Sequence, residues 1–220
     1  MKELVVFGNT DNAELAHHYF AQDERRRVAA FCVDREYLRE ATFRGLPVVP
    51  FEEVRERFPP ETHEMFVAVG YARLNALRKE KFLAAKAMGY SLASYVSPHA
   101  TVLTEHPPGE NCFILEDNTI QPFVRIGNNV TLWSGNHIGH HSTIGDHTFI
   151  ASHAVVSGRV AIGESCFIGV NATIRDHVKI GERCVLGAGA LILADAEADG
   201  VYVGPATERS RVPSHRLRRI

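Results

Sequence analysis

The feature that most constrains this 220-residue chain is an aliphatic residue that recurs at every sixth position. The series starts at residue 114 and ends at residue 192, and each of its fourteen positions holds Ile, Leu or Val. A period of six fits neither an α-helix, with about 3.6 residues per turn, nor a simple alternating strand. It fits short strands separated by turns, each pointing one aliphatic residue inward. The repeat therefore predicts a β-solenoid whose stacked coils bury one another's aliphatic residues.

The cysteines follow the same repeat. Cys112, Cys166 and Cys184 occupy the small-residue position of their repeats, and Cys32 is the fourth cysteine. The sequence holds no C-x-x-C pair, and a chain of this length has no need of disulfide staples. We predict reduced thiols, and for the three in the repeat a packing role in the core rather than a metal or redox role.

The first 96 residues lack the repeat and have the pattern of a small α/β unit. Buried strands are predicted at residues 4–7, 28–33, 46–49 and 65–69. Helices are predicted after the first strand, where Asp11 and Glu14 have the spacing of a capping box, then over 51–58 and over 74–88, where Gly89 ends the helix. Alternating strands and helices predict a small Rossmann-like parallel sheet, which binds its ligands at the carboxyl ends of its strands.

Composition and charge exclude several classes of function. Apolar residues make up 45% and charged residues 23% of the chain, which is typical of a globular protein rather than a disordered one. The formal net charge of −2 provides no basic field for nucleic acid or an anionic membrane surface. No run of eighteen apolar residues is present, and the first residues lack a cleavage-site pattern. We therefore expect a cytoplasmic protein that binds neither nucleic acid nor membranes.

Histidines are concentrated in one part of the repeat. Residues 131–158 contain five of the twelve histidines. A group of histidines is a candidate source of general acid–base catalysis, in which a side chain takes a proton from the reacting group or gives one to it. A neutral imidazole titrates in the range that such a base needs, so this segment is the candidate catalytic region.

The string of I-G-x-x-(S/T/A/V)-x units resembles the hexapeptide-repeat acyltransferases. The preceding α/β unit narrows the resemblance to the NeuD/PglD-like sugar acetyltransferases of bacterial surface-glycan pathways. The match runs through VVFGNTDNAEL, FCVD, VAVGYARLNALR, SPHATV, the repeats and VYVGPA. It implies a substrate-binding domain over residues 1–96, which holds a nucleotide-linked sugar. A left-handed parallel β-helix with a C-terminal cap follows over residues 97–220, and the resemblance implies a homotrimer that uses acetyl-CoA and no metal.

The resemblance also implies roles for individual residues. In the phrase HHSTIG, counting back from Gly145 selects His140 as the general base, and the amide of Gly158 is the candidate oxyanion donor. Contacts to coenzyme A fall on Gly158, Val170 and Ala188. Contacts to the sugar nucleotide fall on Asn9, Thr10, Asp34, Gly70 and Tyr71, and His141, placed in a cleft between subunits, is the sixth substrate-binding residue. The arginines of the tail, residues 208–220, are interpreted as a solvated cap, with a contact to the phosphates of coenzyme A as the alternative.

Several positions depart from the pattern of the family. Asn9, Thr10 and Asp11 replace a Gly-Gly-His run, and the alternative interpretation of this turn is that it only caps a helix. His141 replaces the acidic residue that orients the base, which leaves the orienting group unidentified, and Phe149 replaces a second histidine. The turn histidines His147 and His153 are interpreted as surface residues without a role.

Two other classes of function remain open at the level of sequence. The γ-class carbonic anhydrases use the same solenoid and bind zinc through histidines of adjacent subunits. His141 and His177 have the coil separation of such a site, but no partner histidine follows His177. The third hypothesis is a non-catalytic solenoid scaffold.

Overall fold

The computed structural model describes residues 2–23, 26–209 and 213–216. An α/β unit is followed by a long parallel β-helix that begins with the strand Tyr95–Val96. The β-helix therefore starts slightly before the predicted boundary at residue 97, and the division into two domains stays a prediction. Part of the predicted C-terminal cap, including Arg211, Arg218 and Arg219, lies outside the described residues.

The α/β unit contains a five-stranded sheet with the order β3-β4-β2-β1-β5. Its strands are β1 (Glu3–Phe7), β2 (Val28–Val33), β3 (Thr42–Phe43), β4 (Leu46–Pro50) and β5 (His63–Val67). All neighbouring pairs are parallel except β3 and β4, which form a hairpin. The predicted Rossmann-like parallel sheet is confirmed, with the short β3 as the addition that the sequence did not indicate.

The helices occur where the apolar pattern predicts them, with differences at their starts. They are α1 (Asp11–Ala21), α2 (Val54–Arg57) and α3 (Ala76–Ala87), and a 3-10 turn (Phe51–Glu53) precedes α2. The predicted capping box is wrong, because Thr10 is the N-cap of α1 and Asp11 is already inside the helix. Helix α3 starts later than predicted because Arg73, Leu74 and Asn75 all have positive φ.

Within the described residues, the strands of the β-helix form three parallel sheets of seven, six and four strands, one on each side of a triangular cross-section. Strands pair with residues 18 positions further along the chain, as in Ile138 with Val156. The seven-stranded sheet consists of Tyr95–Val96, Phe113–Ile114, Thr131–Leu132, Phe149–Ile150, Phe167–Ile168, Val185–Leu186 and Val201–Tyr202. The six-stranded sheet consists of Thr101–Val102, Thr119–Ile120, His137–Ile138, Val155–Val156, Thr173–Ile174 and Leu191–Ile192. The four-stranded sheet consists of Arg125–Ile126, Thr143–Ile144, Ala161–Ile162 and Lys179–Ile180.

The aliphatic residues of the repeat form one continuous core inside this triangle. Cys112, Cys166 and Cys184 lie in the same core with no exposed surface, and all four thiols are free. Burial raises the pKa of Cys112 and of Cys166 to about 12, which keeps these thiols protonated and unreactive at neutral pH. The predicted packing role of the three cysteines is confirmed.

The turns between strands explain the glycines of the repeat. A Cβ atom on Gly139 would lie 2.5 Å from the carbonyl carbon of Ser157 in the next coil. Stacked coils approach one another this closely at their turns, so only a residue without a side chain fits there. The second residue of each turn has positive φ, as at His141 and Arg159, a conformation in which Asn, Asp and His are enriched.

The α/β unit packs on the outer side of the seven-stranded sheet, which we call the docking face. Phe113 and Leu115 of this face belong to the same apolar cluster as the first strands of the α/β unit. The Tyr71 ring packs against Phe149 and Phe167, with centroid distances of 5.0 and 4.8 Å. Within the described residues, no helix has the length and apolar character that crossing a membrane requires.

Adjacent valines of one strand test the inward and outward alternation. Val156 is completely buried in the core, whereas the side chain of Val155 points outward and is 39% exposed. We expect Val156→Ala to reduce the free energy of unfolding by about 2 kcal/mol, because two buried methyl groups are lost and a cavity remains. Val155→Ala should change it by less than about 0.5 kcal/mol. Denaturant unfolding at equal protein concentration measures both variants, and equal losses would contradict the alternation.

Candidate active site

A wide cleft of about 1510 Å³ opens at the carboxyl ends of β1, β2 and β5. Five of the six residues that the sequence assigned to the sugar nucleotide line it together, namely Asn9, Thr10, Asp34, Gly70 and Tyr71. The sixth, His141, lies elsewhere, on the β-helix. The topological rule for parallel sheets thus gathers residues that are far apart in the sequence, and their binding role stays a prediction.

Two glycines allow the floor of the cleft to close tightly. Gly8 follows β1 with φ of 122°, and a Cβ atom there would lie 3.0 Å from the carbonyl oxygen of Ala68. A Cβ atom on Gly70 would lie 3.1 Å from the Asn12 side-chain nitrogen. The turns after β1 and β5 therefore pack against one another with their backbone groups close to the cleft.

The charge in the cleft is balanced and mostly paired. Lys81 of α3 donates to Asp34 at 2.7 Å and lies 3.3 Å from Glu80. Burial opposes the charge on Lys81, but the hydrogen bonds and charges of Asp34 and Glu80 together outweigh it and raise the pKa of Lys81. The Lys81 ammonium also lies 5.5 Å from the ring centroids of Phe7 and Phe51. Asp34 is therefore a shared acceptor, because part of its capacity is used by a lysine that the sequence analysis did not single out.

Asp11, one of the three residues that replace the Gly-Gly-His run of the family, does not line the cleft. Asp11 borders a separate shallow groove with Glu14, His17, His18 and Arg44, on the other side of α1. Its carboxylate is exposed, at the first turn of the helix. A phosphate in the cleft would meet the turn formed by Asn9 and Thr10, where the positive end of the helix dipole favours an anion.

On the β-helix, His140 and Gly158 are stacked neighbours. They occupy equivalent turn positions of adjacent coils, 18 residues apart, and Arg159 N–H donates to the carbonyl oxygen of His140 at 2.8 Å. A Cβ atom on Gly158 would lie 2.8 Å from both Cε1 and Nε2 of the His140 ring. The Nε2 edge of the imidazole therefore lies directly against the Gly158 backbone, and any larger residue at 158 would displace it.

The other ring nitrogen of His140 contacts His141. The two Nδ1 atoms are 3.1 Å apart, and the His141 ring packs on Phe123 at 4.6 Å. Two Nδ1 atoms at this distance require that one donates and the other accepts. Desolvation and the charges of Arg159 and His140 lower the pKa of His141, which favours its neutral form. A neutral imidazole carries its proton on either nitrogen, so His141 can accept from His140 or donate to it. His141 is the side chain that contacts Nδ1 of His140.

The residues expected to contact coenzyme A lie on two vertices of the triangle. Gly158 shares its vertex with His140, whereas Val170 and Ala188 stack on the vertex at the other end of the six-stranded sheet. Val170 is 44% exposed. Between the two vertices, Val155 and Leu191 project from the six-stranded sheet as exposed apolar residues. This face offers backbone groups at its edges and apolar surface between them, which suits the pantetheine arm of coenzyme A.

The His140 vertex lies between the six-stranded and the four-stranded sheets. In a triangular section this vertex is opposite the docking face, on which the α/β unit and its cleft lie. The cleft residues and His140 therefore lie on opposite sides of the β-helix. Within one chain the two halves of the candidate site do not meet.

One histidine prediction is wrong. His147 was interpreted as a surface residue, but it is buried, with 5% of its surface exposed, beneath helix α3. Its Nδ1 lies 2.9 Å from Asn129 Nδ2, and its ring packs edge-on against Phe82. Burial lowers its pKa. His153 is exposed as expected, and the inward Asn136 is hydrogen-bonded within the coil, where its Oδ1 accepts from Ala154 N–H at 2.8 Å.

The described residues contain no group of three or more His, Cys, Asp or Glu side chains arranged to hold a metal ion. His141 and His177 occupy the same vertex in coils that are two apart, and neither has a third ligand beside it within the described chain. No feature of this part of the structure favours the zinc hypothesis.

Sequence comparison supports the repeat. Residues 123–158 and 159–194 match the family model described as bacterial transferase hexapeptide (six repeats). The resemblance to hexapeptide-repeat acyltransferases is thereby confirmed for the central coils. No curated protein sequence matches the chain significantly.

Solved structures share the whole fold. PerB from Caulobacter crescentus, solved with CoA and GDP-perosamine, is 23% identical, covers 93% of this chain and 95% of its own, and gives a TM-score of 0.82. The acetyltransferase domain of PglB from Neisseria gonorrhoeae, solved with acetyl coenzyme A, is 23% identical over 92% of this chain and 96% of its own, with a TM-score of 0.81. WeeI from Acinetobacter baumannii is 19% identical over 93% and 97%, with a TM-score of 0.67. This similarity shows the fold and confirms the predicted α/β unit followed by a left-handed β-helix.

The electrostatic environment of His141 can be tested by titration. Because the charge of Arg159 contributes to the lowered pKa of His141, we expect Arg159→Gln to raise this pKa toward its ordinary value. High salt should produce part of the same change in the unmodified protein, since exposed charges are screened. Histidine side-chain NMR across the pH range measures both effects, with the resonances of His153 as the internal reference. An unchanged His141 titration in the variant would contradict this account.

Proposed function

We propose that this protein, with its stacked turns at His140 and Gly158, is an acetyl-CoA-dependent acetyltransferase. It acts on an amino or hydroxyl group of a sugar linked to a nucleotide, in bacterial surface-glycan biosynthesis. The observation that carries the proposal is the position of the Nε2 edge of His140 against the backbone of Gly158. The structural similarity to proteins solved with CoA, acetyl-CoA and GDP-perosamine supports the choice of substrates.

His140 is the base in this proposal. Its Nδ1 keeps a proton and donates to the neutral His141, so that Nε2 has a free lone pair. Nε2 takes the proton of the acceptor amine or hydroxyl as that group attacks the thioester carbonyl carbon, and the coenzyme A thiolate leaves. An imidazole suits this step because it is largely neutral near pH 7 and still basic enough to take the proton.

Gly158 supplies the hydrogen-bond donor. Its carbonyl oxygen accepts from the His177 N–H of the next coil, whereas its own N–H donates to no other described residue. This N–H belongs to the backbone against which the His140 ring lies. It is available to the thioester oxygen as negative charge develops there, and base and oxyanion donor then act from adjacent coils of one rigid stack.

The two substrates approach from different sides. Acetyl-CoA lies along the six-stranded face, with backbone contacts at Gly158, Val170 and Ala188. The nucleotide binds in the cleft, with its diphosphate near Asn9 and Thr10, Asp34 toward the base or ribose, and Gly70 and Tyr71 beside the sugar.

The position of the cleft requires a second copy of the chain. Because the cleft and the His140 vertex face away from each other, a sugar held in one cleft reaches His140 and His141 of a neighbouring subunit. A homotrimer with three equivalent interfaces forms such a site three times and leaves no half-site unused. The proposal keeps the expected cytoplasmic location, in which free thiols persist.

Replacing the proposed base tests the activity. We expect His140→Asn to reduce acetyl transfer by about 10²- to 10⁴-fold, because an amide cannot take the acceptor proton at neutral pH. His177→Asn, at an exposed turn of the same vertex, is the control and should retain activity. Transfer is measured as release of the coenzyme A thiol with a panel of nucleotide-linked amino sugars that includes GDP-perosamine. Undiminished transfer by His140→Asn would contradict the proposal, and absence of transfer by the unmodified chain would favour the scaffold hypothesis.

Complementation between two inactive variants tests the shared site. Thr10→Glu places a carboxylate where the diphosphate is expected, and it removes no cap hydrogen bond because Thr10 makes none. Each of Thr10→Glu and His140→Asn should be inactive alone. Mixed trimers, co-expressed and isolated through two affinity tags, should regain about a third of the activity, because one of the three sites in each mixed trimer pairs an intact cleft with an intact His140.

Mixed oligomers that stay inactive would contradict a site shared between subunits. An active Thr10→Glu protein would contradict the proposed position of the diphosphate. The unmodified chain, purified through the same tags, gives the reference activity.

A further inference from the structure

Three buried polar side chains lie in a row where the β-helix meets the α/β unit. Asn111, Asn129 and His147 occupy the same turn position in successive coils, and all three have positive φ. Their exposed fractions are 2%, 0% and 5%. The equivalent turn residues His141 and Arg159 on the His140 vertex are exposed. We call the buried row the interdomain ladder.

The hydrogen bonds of the ladder have a fixed direction. Val67 N–H donates to Asn111 Oδ1 at 2.7 Å, and Asn111 Nδ2 donates to Asn129 Oδ1 at 2.8 Å. Asn129 Nδ2 then lies 2.9 Å from His147 Nδ1. A backbone N–H can only donate, so it sets the orientation of the first amide, and each amide sets the next. His147 Nδ1 must therefore accept, which makes His147 a neutral imidazole with its proton on Nε2.

The other end of the ladder is the last residue of β5. On its outer edge, β5 pairs with the segment around Leu92 as far as Met65, where Ala93 N–H donates to the Met65 carbonyl oxygen at 2.9 Å. At Val67 the hydrogen-bond partner of β5 is the Asn111 side-chain amide. Asn111 Oδ1 accepts from Val67 N–H, and Asn111 Nδ2 donates to the Val67 carbonyl oxygen at 3.3 Å. The chain then continues directly into the turn that carries Gly70 and Tyr71.

We infer that the interdomain ladder fixes the position of the cleft on the β-helix, and that a proton gained by His147 releases it. Asn111, Asn129 and His147 are positioning residues, which act on the sugar nucleotide through Val67 and the turn that follows it. The consequence for catalysis rests on the proposed function, whereas the hydrogen-bond direction and its release do not.

The charged groups around His147 favour the neutral form. Lys79 and Arg78 approach from α3, and the Arg78 guanidinium donates to the His147 carbonyl oxygen at 2.8 Å. Asp146 and Glu164 approach from the turns, but Glu164 is paired with Lys79 at 3.0 Å. Burial and Lys79 together lower the pKa of His147 against the opposing effect of the two carboxylates.

The lowered pKa of His147 determines how its contribution to stability changes with pH. The unfolded chain has an ordinary histidine pKa of about 6.5, and the folded chain a lower one. The unfolded state therefore binds a proton first. The contribution of His147 to stability is complete above about pH 6.5 and is lost as the pH falls from there through the lowered pKa. An imidazolium at 147 has no lone pair on Nδ1, so Asn129 loses its acceptor.

Two substitutions change the ladder in opposite ways. In His147→Asn the new amide oxygen takes nearly the place of Nδ1, so it accepts from Asn129 but cannot gain a proton. In Asn129→Asp the carboxylate cannot donate, so the contact requires a proton on His147 Nδ1, which the imidazolium or the neutral Nδ1–H tautomer supplies. The first variant should remove the acid sensitivity, and the second should move it to higher pH by stabilising the imidazolium.

Amide hydrogen exchange at Val67 reports the ladder without any ligand. Between about pH 7.5 and pH 5, the protection factor of this amide in the unmodified protein should fall about five- to tenfold, the equivalent of one hydrogen bond. His147→Asn should hold it constant, and histidine NMR at neutral pH should show His147 protonated at Nε2 alone. The same fall in both proteins, or a proton on Nδ1 at neutral pH, would overturn the inference.

Kinetics with GDP-perosamine as the probe test the positioning role. We expect Asn111→Ala to raise KM for the sugar nucleotide about five- to tenfold and to leave KM for acetyl-CoA unchanged, since only the cleft moves. In the unmodified protein, lowering the pH should raise KM for the sugar nucleotide by the same factor, and His147→Asn should suppress this rise. Equal changes in both KM values would indicate a general structural loss and overturn the positioning role. If the unmodified chain acetylates no nucleotide sugar, the proposed function is wrong. Hydrogen exchange at Val67 still tests whether protonation of His147 releases the interdomain ladder, because it needs no substrate.

Discussion

The stacking of one coil on the next, 18 residues apart, is the constraint on which the whole structure depends. The inward positions are filled by aliphatic or small residues or, as at Asn136, by an amide that is hydrogen-bonded within the coil. Every turn must have the same backbone conformation as the turns above and below it. Side chains that share a turn position therefore stand in columns. The chemistry of this protein is consequently arranged vertically, with His140 beside Gly158 on one vertex and Asn111, Asn129 and His147 in line on another.

Much of this could be predicted from the sequence because periodic features are local. The six-residue period identified the aliphatic positions of the core between residues 114 and 192. The coil of three repeats, and with it the candidate Gly158, came from the resemblance to the hexapeptide-repeat acyltransferases. The same resemblance selected Asn9, Asp34 and Gly70, and the rule for parallel sheets explains why they lie together. The residues at which helices α1 and α3 start were not predictable, because N-capping depends on the backbone angles of single residues such as Thr10 and Asn75.

The remaining errors share one physical cause. A six-residue period assigns turn residues to three vertices but carries no information about which vertex another domain covers. His147 and His153 have the same repeat position, yet one is buried under α3 and the other is exposed. The covered side depends on contacts that do not repeat, such as Arg78 with the His147 carbonyl group and Tyr71 with Phe149. Likewise, the pairing of Lys81 with Asp34 joins a helix and a strand end that are 47 residues apart.

The two kinds of histidine show how the same residue type serves different needs in one fold. His140 is exposed on an open vertex, where its Nε2 edge lies against the Gly158 backbone and its Nδ1 lies 3.1 Å from Nδ1 of His141. This is the exposure that its proposed role as a base requires. His147 is covered, and there an imidazolium would lose its solvation and repel Lys79 and Arg78, so the ring remains neutral and accepts a hydrogen bond. Docking of the α/β unit on the opposite face thus leaves His140 exposed and covers His147. It also places the cleft and His140 on opposite sides of the β-helix, so the proposed reaction needs the cleft of a neighbouring subunit.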